Sequence, residues 1–79
     1  MSSEAELVTY LARRLVDDPD AVSVEEVERD GAIVLELRVG ADDVGKVIGR
    51  HGRIARALRA VVRASAARSR QRVSLEIVD

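Results

Sequence analysis

Seventy-nine residues make one domain, close to the lower limit for a self-sufficient core. Hydrophobic residues form 47% of the chain, nearly all of them Leu, Val, Ile and Ala, which is ordinary for a globular protein. There is no cysteine, which excludes a disulfide framework and a thiolate metal site. The opening stretch MSSEAELVTYLARRL places acids before its apolar residues and has no uninterrupted apolar run. Neither a signal peptide nor a membrane span is expected, and the expected location is the cytoplasm.

The net charge of -1 hides a division. Residues 1–43 carry 12 acids and 4 bases, a net of -8, whereas residues 44–79 carry 9 bases and 2 acids, a net of +7. No acid falls between Val44 and Leu75. Charge alone leaves two readings open: a basic face for a polyanion, or acidic and basic halves that pair within the fold or across a dimer.

The first helix is expected over about residues 3–16, started by a capping box of Ser3 and Glu6. Leu7, Val8, Leu11 and Leu15 recur at helical spacing, and DDPD stops the helix at Pro19. A hairpin is expected over about 22–39, turning at Asp30-Gly31. In its first strand Val27 lies on the opposite parity from Val22 and Val24, which predicts a bulge near Glu25–Glu26. In its second, Ile33, Leu35, Leu37 and Val39 alternate without interruption.

Two helices separated by GRHG are expected over about 42–67. The wheel of the longer one gathers Ile54, Leu58, Val61, Val62 and Ser65 on one side and Arg53, Arg56, Arg59 and Arg63 roughly opposite. RSRQR is a basic loop, and Val73, Leu75 and Ile77 alternate as a closing strand over about 73–78. The order α-β-β-α-α-β predicts an α+β fold, a three-stranded mixed sheet with three helices on one face. The two-helix crossover is long enough to lay the last strand parallel to a central second strand.

The stretch VGKVIGRHGRIARAL holds three glycines in what is otherwise helix-forming sequence, each costing roughly 0.5–1 kcal/mol relative to alanine inside a helix. Gly49 and Gly52 permit positive φ and close backbone approach, and Gly45 would let the short helix pack tightly on a neighbour. Gly52 precedes the long helix, whose unpaired first amides and positive dipole end suit a phosphate. Lys46, Arg50 and Arg53 surround the same point, and His51 can donate a hydrogen bond. A P-loop needs lysine and then serine or threonine after its last glycine, and the dinucleotide fingerprint needs two glycines one residue apart; neither is present. A GxxG between two helices of a β-α-α-β unit is instead the signature of K homology (KH) domains.

GKVIGRHGRIARALRAVV resembles a KH core, with Val47-Ile48 before the loop and an aliphatic helix after it. With the preceding helix and hairpin, all 79 residues resemble the KhpA family of small single-domain bacterial RNA-binding proteins, in the type II KH arrangement. The aliphatic position often found three places after the second glycine is Ala55 here, with Ile54 one place earlier. The resemblance implies single-stranded RNA in a narrow groove. Gly49, Arg50, His51 and Gly52 would meet phosphates, helped by Lys46, Arg53 and Arg56. Ile48, Ile54 and the central strand would offer aliphatic contacts to about four bases, with Arg68 to Arg72 in the variable loop on the far side. It further implies a homodimer, or a heterodimer with a KhpB (Jag/EloR-type) protein, and a role as a post-transcriptional regulator or RNA chaperone in cell shape and division.

Composition agrees with a groove rather than a stacking platform, since Phe and Trp are absent and Tyr10, expected to pack on a core edge, is the one aromatic residue. No cofactor, metal site or catalytic activity is expected: His51 is the sole histidine, and no acid adjoins the basic loop. The alternatives are a protein-interaction module with a KH-like fold and no direct nucleic-acid role, and a helix-turn-helix on double-stranded DNA. The flanking strands and the glycine pair argue against the second.

Overall fold

The computed structural model of the chain describes residues 2–78. Helix α1 spans Ser3–Leu15, strands β1 and β2 span Ser23–Arg29 and Ala32–Arg38, and helices α2 and α3 span Val44–Ile48 and Arg53–Ser69. Strand β3, Val73–Ile77, closes the sheet, and single 3-10 turns cover Pro19–Ala21, Ala41–Asp43 and Arg50–Gly52. The order is the expected α-β-β-α-α-β. The sheet runs β1-β2-β3, antiparallel between the first two strands and parallel between β2 and β3, so β2 is central.

Helix α1 begins one residue earlier than the capping box predicts. Ser2, not Ser3, is the cap, its hydroxyl accepting the Ala5 amide at 3.1 Å, a bond typically contributing about 1 kcal/mol. Glu4 and Glu6 then fall in the first turn, with Arg13 and Arg14 in the last, as the helix dipole favours. Glu4 is itself buried and accepts a hydrogen bond from the Ser65 hydroxyl, tying the start of α1 to the end of α3.

The hairpin turns tightly at Asp30 and Gly31, both at positive φ (53° and 79°), as a two-residue primed turn requires. The register runs unbroken from Ser23 opposite Arg38 to Arg29 opposite Ala32, so the expected bulge is absent. Val27 instead sits on the sheet's open face, opposite Val34. Around this apolar pair an ion network covers the same face: Glu36 lies 3.1 Å from Arg29 and 3.5 Å from Arg38, which also approach Glu76 and Glu25.

The core lies between the sheet and the helices. Leu35, Leu37, Val8, Val47 and Val62 are its largest fully buried side chains, each contributing about 1.5–3 kcal/mol relative to exposure. Both long helices are rotated relative to the wheels read from sequence. Helix α1 turns Ala5, Val8 and Ala12 to the core, and α3 turns Ala55, Leu58, Val62 and Ala66. Small residues let the helices sit close on a narrow sheet. Leu11, Leu15, Ile54 and Val61 are displaced into the seam between α1 and α3, where Leu15 and Val61 stay 38% and 37% exposed. Tyr10, at 60% exposure, lies on the surface rather than on a core edge. Nothing lies within 4 Å of where a Gly45 side chain would begin, so tight helix packing does not explain that glycine. No described helix is long and apolar enough to cross a membrane.

Where α2 meets the Pro19 loop, Asp43 is buried and accepts the Asp18 amide at 3.0 Å and Lys46 at 3.1 Å. Burial pushes the Asp43 carboxyl up, but these bonds outweigh it and hold the group below its ordinary value. Lys46, hydrogen-bonded to Asp43 and Asp17, is held above its own. A depressed carboxyl stabilises the fold above its unfolded value and loses that contribution as pH falls through the folded one. Asp43→Asn is therefore expected to lower the midpoint of thermal unfolding at pH 7. The deficit should shrink as pH falls below about 4, where wild type loses the charged carboxylate as well. Thermal melts of both proteins between pH 2 and 7 check this, and a pH-independent deficit would refute it.

Candidate nucleic-acid interface

The end of α2 and the start of α3 are joined by backbone that only particular residues can adopt. Gly49 takes φ 77° and ψ 170°, and its amide bonds the Gly45 carbonyl at 2.8 Å, ending α2. A Cβ at Gly49 would overlap the Ile54 side chain and lie 2.9 Å from the Ile54 amide nitrogen, so glycine is needed for space as well as for φ. His51 and Gly52 follow at φ 57° and 73°, two successive left-handed residues. A non-glycine residue there costs roughly 1–2 kcal/mol, which the surrounding bonds must hold in place.

Those bonds act on carbonyls. Gly49 O accepts the Gly52 amide at 3.1 Å, Arg50 O accepts the Arg53 amide, and His51 O accepts Nη1 of Arg56 at 2.8 Å. The amides of Arg50 and His51, by contrast, meet no backbone acceptor among the described residues. The loop therefore leaves these two N–H groups without a backbone partner while three of its carbonyls are engaged, at the positive end of a 17-residue helix.

Charge reinforces this. None of the eight arginines between Arg50 and Arg72 forms an ion pair among the described residues, and all are exposed. In the acidic half, Arg13, Arg29 and Arg38 all have acidic partners. Between the halves, ion pairs are confined to Lys46 with Asp17 and Asp43 and to Arg29 with Glu76 among the described residues, so the arginines of α3 and the loop after it are not neutralised within the fold. Arg50, His51 and Arg53 ring the loop. Arg56, Arg59 and Arg63 follow along one side of α3, at spacings of three and four residues.

The other expected site residues are placed unequally. Lys46 is turned to Asp17 (3.2 Å) and Asp43 (3.1 Å), away from any role as a free cation. Its partner Asp43 lies three positions earlier, a helical ion-pair spacing that was legible in the sequence. Ile48 is 37% exposed beside the loop. Ile54 is half-buried beneath Gly49 and lines the seam with Leu11, Leu15, Leu58 and Val61, while Ala55 takes the core position. Arg56 spends one nitrogen on the loop itself. Arg59 reaches the edge strand, its Nε donating to Leu75 O at 3.3 Å. Helix α3 also runs on to Ser69, with Arg70 left-handed at its end, so the basic loop is shorter than RSRQR suggests.

An RNA-binding protein KhpA of Treponema pallidum is 53% identical over 79 residues, covering 100% of this chain and 99% of its own. Another, from Caldanaerobacter subterraneus subsp. tengcongensis, is 49% identical over 73 residues, covering 92% of this chain and 97% of its own. Among solved structures, a single-substitution variant of Aquifex aeolicus Era bound to GDP and AlF4- superposes with a TM-score of 0.65 at 22% identity, over 94% of this chain and 29% of that one, which shows a shared fold. The family described as KhpA/KhpB, KH domain matches residues 5–77, and its members are non-catalytic. The chain belongs to this family of KH domains.

Proposed function

We propose that the chain binds single-stranded RNA, with the sugar-phosphate backbone seated on the GRHG loop. The observation that carries this reading is the pair of Arg50 and His51 amides that meet no backbone acceptor among the described residues, in a loop whose Gly49, Arg50 and His51 carbonyls are engaged and whose neighbouring arginines carry no ion pair. Phosphate oxygens accept from those amides, and Arg50, His51 and Arg53 meet the charge around them. Bases are held by shape and aliphatic contact at Ile48 rather than by stacking, since the chain has no Phe or Trp. The names of the Treponema and Caldanaerobacter relatives support the choice of RNA.

A four-nucleotide groove binds weakly alone, so useful affinity calls for a second site. The apolar seam of Leu11, Leu15, Ile54, Leu58 and Val61 supports association with a second copy or with a KhpB (Jag/EloR-type) protein. In this reading the protein is a cytoplasmic post-transcriptional regulator or RNA chaperone, acting in cell shape and division. The same seam favours the alternative in which the domain serves protein interaction alone. The two readings use different faces and separate experimentally.

Arg50→Asp combined with His51→Asp keeps both glycines and the backbone bonds of the loop while turning the field against phosphate. The folded double variant is expected to lose tenfold or more in affinity for a pool of single-stranded RNA, since charge-assisted bonds contribute about 1.5–3 kcal/mol each. Binding equal to wild type in a filter or anisotropy assay would remove the loop as the site. Salt gives a second test. With three or four phosphates engaged, log K is expected to fall against log salt with a slope of about -2 to -3. A flat response would favour the protein-interaction reading.

A further inference from the structure

The geometry points to Arg56 as a positioning residue for the phosphate loop rather than one of its phosphate ligands; this rests on the loop being the RNA site. Its Nη1 donates to His51 O at 2.8 Å, five residues back and across the loop. The other two loop carbonyls, of Gly49 and Arg50, are taken by the backbone amides of Gly52 and Arg53. His51 O is the third, and the Arg56 side chain serves it.

That carbonyl belongs to the one non-glycine residue of the loop at positive φ, where the chain has least intrinsic reason to stay. A free carbonyl beside the Arg50 and His51 amides would set a negative dipole next to an incoming phosphate. It would also let the peptide rotate and scatter the amides. Arg56 opposes both, because a charged N–H on that oxygen is a strong hydrogen bond that ties the peptide to α3. Its position follows from α3: one turn into the helix, its guanidinium lies 3.4 Å from where a Gly52 Cβ would be, so it passes directly beside the loop backbone. Arg63, on the same side of α3 but two turns further on, has no hydrogen bond or ion pair among the described residues and serves as the charge-matched comparison.

The test uses the full chain with Arg56→Met, Arg56→Lys and Arg63→Met. Amide hydrogen exchange at Gly52 and Arg53 is read without RNA, and affinity for a random-sequence single-stranded RNA dodecamer is read across a salt series. Arg56→Met is expected to speed exchange at both amides about tenfold and to weaken binding about five- to tenfold, as loss of preorganisation does, with the salt slope unchanged. Arg56→Lys, which can still donate to His51 O, recovers part of both, and Arg63→Met leaves exchange at the wild-type rate. If Arg56→Met makes the slope shallower by about 0.7 with exchange unaltered, Arg56 is a phosphate ligand and the inference is overturned. Unchanged exchange with unchanged affinity overturns it equally. Should wild type not bind the dodecamer at all, the RNA reading falls, while the exchange rates still decide whether Arg56 braces the loop.

Discussion

Between α2 and α3, Gly49 lies flat over the first turn of α3 with no room for a Cβ, and the shape of the whole interface follows from that crossing. The left-handed pair His51-Gly52 completes the bend, turning the carbonyls toward Gly52, Arg53 and Arg56 and leaving the amides of Arg50 and His51 without a backbone acceptor among the described residues. A hydrogen-bond donor surface made of backbone needs no particular base, suits the repeating anion of a nucleic acid, and is aimed by a helix dipole fixed in the same place. The rest of the domain holds two helix ends in this relation: Val47 and Leu58 anchor α2 and α3 in the core, and Asp43 ties the start of α2 to the Pro19 loop.

Charge is organised around the same division of labour. On the open face of the sheet, Glu36 gathers Arg29 and Arg38, so basic groups there are spent on structure. Along α3 the arginines are left without acidic partners, and those with internal bonds, Arg56 and Arg59, give them to carbonyls, which leaves the positive charge intact. An almost neutral chain thereby keeps a strongly basic ridge. The displaced side chains of the α1–α3 seam follow from packing: alanines at Ala5, Ala12, Ala55 and Ala66 bring both helices onto the sheet, and the bulkier Leu11, Leu15, Ile54 and Val61 remain between them at the surface.

Much of this was legible beforehand, for identifiable reasons. The alternation from Ile33 to Leu37 marks a central strand because both its neighbours constrain it, and Asp30-Gly31 marks a primed turn because few other pairs tolerate positive φ twice. Gly49 and Gly52 stood out because glycine is costly in helical sequence. Features that depend on tertiary context were less visible. Val27 reads as a register fault in the sequence because its parity differs from that of Val22 and Val24, whereas the open face of the sheet carries the Val27–Val34 pair. The helix phases were misjudged because large aliphatic residues outweigh alanine in any hydrophobicity count, although close packing on a small sheet favours alanine. Serines at both Ser2 and Ser3 left the cap ambiguous by one residue. Lys46 adjoins the loop in sequence, while its spacing of three from Asp43 is that of a helical ion pair, which is the contact it makes.

The central claim is that the amides of Arg50 and His51 grip the backbone of an unpaired strand. The most direct measurement is a heteronuclear NMR titration of the 15N-labelled chain with a short single-stranded RNA, following every backbone amide. The account predicts that the Arg50 and His51 resonances move most, with smaller changes at Arg53 and Ile48. Unmoved loop amides, with shifts confined to the α1–α3 seam or the acidic strand β1, would contradict it.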